Sequence, residues 1–490
     1  MGKPGGEVGI PRFSGKILFI GFGSIARGLT PLLFRHLSLR TEQVEIITAD
    51  DAGRAVAAEY GIRFTQAVFG RENYRQLLGQ TLQAGDVVLN LAVEVSTLDV
   101  SAWCQAHGVL YLDTGIEPWQ GGYAAQDVVQ TTNYWLREQM LARRRPGLPT
   151  AVIAHGANPG LVSHLLKQAL LELADLRGIS RPSENEAWGE LAQALGVRVI
   201  HVAERDTQTD GLPLLPGEFA CTWSVDGLLA EAEQPAEAGW GSHETQMPEG
   251  MLQADFGCRA STYWPHAGRL PKIKSWVPSV GEQYTWLITH NESISIADFL
   301  TVRDGERVLY RPTVCYAYHP CEKTRQSLVA WEASGLAEPP HKTLIAPEAV
   351  DSGHDELGVL LCFDGGAYWH GSILEIDEAR RLAPHNNATT LQVAVGMLGG
   401  LLWAIRHPRA GVVEADQIDF REVLAIAAPY LGKLGGILTN WQPQSGGTLQ
   451  FAEFIDIEQD HGKQIRKNRR SEETGNSRQD TEEIAASTAD

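Results

Sequence analysis

A chain of 490 residues exceeds one ordinary hydrophobic core and points to two domains or three. Its 43% hydrophobic and 21% charged residues are the composition of a soluble globular protein. A formal charge of -19 excludes the basic footprint of a nucleic-acid partner and suits an acidic cleft that focuses cations. The cysteines Cys104, Cys221, Cys258, Cys315, Cys321 and Cys362 form no C-x-x-C pair, which reads as reduced thiols in a cytoplasmic protein without a structural zinc. The first residues lack the basic-then-apolar pattern of a secretory signal. The longest apolar run, 391–405, is broken by Gln392 and three glycines and falls short of the roughly 20 residues of a membrane span. It predicts a buried helix.

Residues 16–155 alternate strand and helix signals in the manner of an α/β, Rossmann-type doubly wound parallel sheet. A short apolar strand runs into Gly21-Phe22-Gly23-Ser24-Ile25-Ala26 and then into a helix. Gly21 permits the turn, Gly23 lets the backbone approach a pyrophosphate, and Ala26 keeps helix and strand close. The opening N–H groups of the helix, at Ser24 and Ile25, then face negative charge. A second strand, 44–49, ends at Asp50, whose carboxylate suits the ribose hydroxyls of NAD and repels the extra phosphate of NADP, although Arg54 follows closely. Without a ligand the same turn is an ordinary α/β connection and Asp50 a solvated acid.

A helix is expected at 54–60, a strand at 87–92, a helix carrying Trp103 and Cys104, and a strand at 110–112 leading to Asp113 and Thr114. A long helix at 126–144 precedes a strand at 151–154. That strand ends in His155-Gly156-Ala157-Asn158-Pro159-Gly160, which opens another helix, 161–173. Ligands of open parallel sheets bind beyond the carboxyl ends of strands, where Asn90, Asp113, Thr114 and Asn158 all fall. Beyond about 185 the texture changes to Trp-, Tyr- and β-branched segments, such as 197–203, 219–225, 284–289 and 359–363. They predict a second, α+β domain on a large mixed or antiparallel sheet. The expected division is a flexible 1–15, a dinucleotide domain 16–160, and a substrate and dimerisation domain 161–388. A helical segment, 389–452, would pack back on the first domain, and a charged, disordered tail would follow at 453–490.

Three segments offer chemistry. In Val197-Arg198-Val199-Ile200-His201-Val202-Ala203-Glu204-Arg205-Asp206 the period of two puts Glu204 and Asp206 on one side and Arg205 on the other. Paired carboxylates can hold an ammonium group or shift each other's proton affinity, unless they are a solvated strand end paired with Arg205. Trp223, with Glu231 eight residues on, is either a cation-binding face or ordinary core. His290, followed by Asn291-Glu292, is either a proton carrier near neutral pH or a structural histidine. No H-E-x-x-H, G-x-S-x-G or G-x-x-x-x-G-K-[ST] is present, so metal, serine-hydrolase and phosphoryl-transfer chemistry are not expected.

Over about 15–440 these segments resemble the bacterial homospermidine synthases. The glycine turn, Tyr111-Leu112-Asp113-Thr114-Gly115-Ile116-Glu117-Pro118-Trp119 and the His155–Gly160 segment carry the part shared with the wider saccharopine dehydrogenase group. The resemblance continues through Gln234-Pro235-Ala236-Glu237 and Gly239-Trp240-Gly241, and the specific part lies in His201-Val202-Ala203-Glu204-Arg205-Asp206-Thr207-Gln208, Thr222-Trp223-Ser224-Val225 and His290-Asn291-Glu292.

The resemblance implies a redox-neutral use of NAD as a prosthetic group. Hydride leaves putrescine to give an imine, a second putrescine displaces ammonia, and the new imine is reduced to homospermidine; spermidine can also donate the aminobutyl group. It further implies that Glu204 and Glu231 hold amines and relay protons, that Trp223 faces the cationic intermediate, and that His290 joins the polar network. Asn158 would orient substrate or nicotinamide, and Glu117, Asp206 and Asp355 are further substrate-binding candidates. Gly21, Gly23, Ser24, Ile25, Asp50, Asn90, Asp113, Thr114, Ala157, Asn158 and Pro159 are the expected cofactor residues. Polyamines are the implied partners and a homodimer the implied assembly. Two other readings share the fold: a saccharopine- or carboxynorspermidine-dehydrogenase-like enzyme, which needs a basic group for a substrate carboxylate, and a non-catalytic NAD-binding sensor.

Overall fold

The computed structural model describes residues 13–124, 127–180 and 187–455, without the side chains of 266 and 267. The expected flexible N-terminus, up to residue 12, and the charged tail from 456 lie outside the described residues.

The first sheet has seven parallel strands. In chain order they begin with β1 (Ile17–Ile20), β2 (Val44–Thr48), β3 (Arg63–Gln66), β4 (Val87–Asn90), β5 (Leu110–Asp113) and β6 (Ala151–Ile153). In space they run β6-β5-β4-β1-β2-β3, and a late strand, Val412–Glu414, adds outside β6. The alternation in β1 sorts its two faces. Ile17 and Phe19 join a core with the helices Ser24–His36 and Ala388–Arg406, while Leu18 and Ile20 pack with Leu78, Val100 and Met140 on the opposite side. The helix Ala388–Arg406 passes for a membrane span by length and composition, but nearly all of it is buried inside the fold. The segment 389–452, expected to be helical, thus also gives a strand to the first sheet, and its strand Lys433–Thr439 closes one edge of the second.

The second sheet has ten strands and is mixed. At its centre β7 (Val197–Asp206) lies parallel to Thr313–His319 and antiparallel to His354–Phe363. Ile200 and Val202 of β7 pack under the helices Leu161–Arg177 and Val225–Glu233, and Val199 and Ala203 serve a separate core on the other face. Glu204 and Asp206 continue the helix-covered row, as the period of two predicts. Arg137, 2% exposed, ties the two parts together. Its guanidinium meets Glu414 at 2.6 Å and Asp298 at 3.0 Å.

Two expected elements differ. The helix at 126–144 resolves into a short turn, Val128–Thr131, and a helix, Asn133–Ala142, because the Thr132 hydroxyl accepts the Trp135 N–H at 3.1 Å and starts the helix there. The strand at 219–225 is Glu218–Cys221, after which Ser224 caps the Gly227 N–H at 3.1 Å and opens Val225–Glu233. Glu231 therefore sits on a helix whose start adjoins Trp223.

Candidate active site

The glycine turn is built to receive an anion. Gly21 has φ +82° and an added Cβ would meet Ala92 at 3.0 Å, whereas a Cβ at Gly23 would meet no atom within 4 Å. Gly23 caps Ser24–His36 without a side-chain bond, and the first helical bond is Arg27 N–H to Gly23 O at 3.1 Å. The N–H groups of Ser24 and Ile25 precede it, at the positive end of the helix dipole. Asp50 is exposed just past β2 and accepts the Ala52 N–H at 2.9 Å. Arg54 is turned aside, its guanidinium 4.6 Å from the Phe64 ring centre and donating to Gln66 Oε1 at 3.2 Å.

The strand ends carry a buried polar network. Asn90 Nδ2 donates to Val95 O and to the Tyr111 hydroxyl, leaving its buried Oδ1 without a partner among the described residues. Asp113 accepts Thr97 Oγ1 at 2.7 Å, the Tyr111 hydroxyl at 2.8 Å and the Ala154 N–H at 2.6 Å. Burial nevertheless pushes Asp113 up to about 7. Thr114 lies against Gly156, and Pro159 O accepts the Gly156 N–H at 2.7 Å, folding the segment of Ala157 and Asn158 into a tight loop. An orphaned amide oxygen, an open glycine cradle and free helix N–H groups together fit a dinucleotide.

Glu204, 3% exposed, is where the two parts of the molecule meet. Its Oε2 accepts Asn158 Nδ2 at 2.8 Å and the Tyr316 hydroxyl at 2.6 Å. Burial first, and the nearby charge of Asp206, push it up to about 7 against these two bonds. The Tyr316 ring lies 4.1 Å from that of His290. His290 Nε2 is 3.3 Å from Glu231 Oε2 and its Nδ1 is 3.2 Å from Glu292 Oε1. Burial works against a charged imidazole, but Glu292 and Glu231 outweigh it and hold His290 well above the usual histidine range. Glu117 accepts the Glu94 N–H and the Tyr123 hydroxyl, each at 3.2 Å. Burial, with Glu231 adding to it, pushes Glu117 up to about 7. Trp223 Nε1 donates to the Tyr318 hydroxyl at 3.3 Å.

Glu204, Asn158, His290 and Glu231 are thus joined through direct contacts or one intervening tyrosine; Glu117 is linked by the charge of Glu231, and Trp223 through Tyr318, whose ring stacks on that of Tyr316. Asp206 and Asp355 stand opposite each other on neighbouring strands, 2% and 0% exposed. Asp206 accepts from Gln208 and Thr222, and Asp355 from Thr389. Tyr316 and Tyr318 are not evident from sequence alone: two tyrosines spaced by two in an apolar strand mark a shared face but not what it meets. The buried Glu237 likewise carries no sequence signal of its own. It accepts the Asn133 and Tyr134 N–H groups at 2.7 and 3.1 Å and the Thr289 hydroxyl at 2.5 Å, next to His290.

Residues 17–146 match the saccharopine dehydrogenase NADP binding domain and residues 156–438 the saccharopine dehydrogenase C-terminal domain. The chain is 46% identical over 456 residues to a homospermidine synthase of Blastochloris viridis, covering 91% of this chain and 95% of that protein. It is 43% identical to one of Mesorhizobium japonicum, covering 90% and 94%. A crystal structure of the homospermidine synthase of Legionella pneumophila in complex with NAD superposes with a TM-score of 0.85 at 39% identity, covering 91% of this chain and 98% of that one. With its two-domain fold and its acidic site, the chain belongs to the homospermidine synthase family.

Proposed function

We propose that this chain makes homospermidine by NAD-dependent aminobutyl transfer, from two putrescines with release of ammonia or from spermidine and putrescine. The observation that carries this reading is the position of Glu204, a buried carboxylate poised near neutral pH between Asn158 at the end of β6 and Tyr316 beside His290. Bound NAD supplies a hydride acceptor and, later in the cycle, the donor. Gly21, Gly23 and the N–H groups of Ser24 and Ile25 would hold its pyrophosphate and Asp50 its ribose. Asn90, Asp113, Thr114, Ala157, Asn158 and Pro159 would border the nicotinamide end.

Hydride cannot leave a carbon that bears an ammonium, so one amine must first lose a proton. Glu204, with its affinity raised to about 7, accepts that proton and returns it when ammonia leaves. The distal ammonium stays charged between Glu231 and Glu117, with His290 neutralised by Glu231 and Glu292. The Trp223 face stabilises the cationic imine, which has no carboxylate at its carbon. Asp206 acts from behind Glu204, by charge, rather than through contact with substrate, and Asp355 lies behind it with its carboxyl held well above the usual range by burial and by Glu204 and Asp206. A dehydrogenase for an amino-acid substrate needs a lysine or arginine here, but the charged neighbours that dominate Glu204 and Glu117 are carboxylates and His290. Polyamine partners, a homodimer and a cytoplasmic location complete the proposal.

Purified protein with putrescine and catalytic NAD should yield homospermidine and ammonia with no net NADH. Net NADH would indicate a dehydrogenase, and no turnover a sensor.

A further inference from the structure

The strand Thr313–His319 contributes two phenols to which the reaction above gives no part. It runs parallel to β7 with Tyr316 beside Val202 and Tyr318 beside Glu204. The period of two puts both tyrosines on the face that carries Glu204. Their rings stack at 5.5 Å and 17°, and they are 4% and 2% exposed. Each hydroxyl is engaged by a different member of the site: Tyr316 donates to Glu204 Oε2 at 2.6 Å, and Tyr318 accepts from the Trp223 indole at 3.3 Å.

The bonds to Glu204 are lopsided. Both Asn158 and Tyr316 donate to Oε2, and among the described residues none donates to Oε1. A carboxylate with one oxygen doubly engaged and the other free presents a single basic atom in a set direction. The Tyr316 donor is also permanent, because burial and the Glu204 charge hold its phenol well above the ordinary tyrosine range. Its proton therefore stays on the phenol and remains available to Glu204. Its ring, 4.1 Å from His290, fixes the imidazole and the carboxylate in one frame.

Resting on the reading that Glu204 takes the amine proton, we infer that Tyr316 is a positioning residue that occupies Glu204 Oε2, aims Oε1 at the substrate amine and keeps the carboxylate ionised in a dry site. Tyr318 does the corresponding work for the indole, fixing the plane of Trp223 without touching the proton acceptor.

The two roles separate in pH profiles of kcat/KM for putrescine, recorded on the NAD-loaded enzyme. Wild-type turnover to homospermidine tests the reaction itself, so its absence would count against the proposed function and not against the role of Tyr316. Tyr316→Phe keeps both ring contacts but removes the donor, and should move the acid limb up by about one pH unit while the rate well above the limb largely recovers. Replacing Tyr316 with 3,5-difluorotyrosine strengthens the donor and should move the limb down. Tyr318→Phe should lower kcat and leave the limb in place. In a Glu204→Gln background Tyr316→Phe should cause little further loss. An acid limb unmoved in Tyr316→Phe, or moved equally by Tyr318→Phe, would overturn the inference.

Discussion

Ser24 Oγ donates a 2.5 Å hydrogen bond to the main-chain carbonyl of Trp223. The first turn of the nucleotide-domain helix is therefore tied to the backbone of the residue whose indole is the proposed cation platform. The Asn158 bond to Glu204 makes a second such tie, so the dinucleotide cradle and the acidic pocket are held in one geometry from both sides.

The half-buried Trp223 separates chemistry from packing. Trp223→Ala should lower kcat/KM for putrescine about 30-fold, the effect of losing a desolvated cation–π contact of about 2 kcal/mol. Thermal unfolding should fall by only about 2–4 °C. Steady-state kinetics beside a melting curve make the comparison, and parallel losses would mark the indole as ordinary core.

For Glu204 the sign of the pH effect is set by its raised affinity. Turnover should climb with pH through about 7 as the carboxylate ionises, and Glu204→Gln should cost about 100- to 10,000-fold in kcat. Stability runs the other way. A carboxyl raised in the folded state contributes stability at pH below its unfolded value and loses it as pH rises through its folded value. Glu117, Glu237 and Asp113 are raised to about 7 as well, with burial the leading cause in each. Without polyamine, the melting temperature should therefore decline between about pH 5 and pH 8, less steeply in Glu204→Gln than in wild type.

His290 carries the same sign, in a window that begins at the ordinary histidine value. With its folded affinity raised above the ordinary value, its contribution is complete below the unfolded histidine range and disappears as pH passes its folded value. Glu292 is fully buried, so His290→Ala leaves a carboxyl without its cation. Breaking such a buried pair costs about 3–5 kcal/mol, to be read from urea unfolding at pH 6 to 7. A loss within the range of surface substitutions would mean that the contact between His290 and Glu292 does not hold the fold together.

Glycines Gly23 and Gly160 make a paired test of the cradle. A methyl at Gly23 meets no protein atom within 4 Å, so Gly23→Ala should leave unliganded stability within about 1 kcal/mol. It should weaken NAD by about tenfold or more in calorimetry, since the methyl would occupy the proposed path of the pyrophosphate. At Gly160, φ is +125° and the added atom would lie 2.4 Å from Gly156 O. Gly160→Ala should instead destabilise the fold itself.

What the sequence by itself determined is the local order. A continuous apolar run marks β1 as a strand buried on both faces, the glycine turn opens the first helix, and Glu204 and Asp206 share one side of β7. These features were legible because they depend on side-chain period and on backbone freedom within a few residues. Only the tertiary structure decided what each face meets. Tyr316 reaches Glu204 from 112 residues away, and Ser24 meets Trp223 from 199 away. The strand Val412–Glu414 returns to pair with β6 across more than half the chain. Such contacts follow from strand register and from the docking of two cores, which compete over the whole chain and leave no period in any one segment.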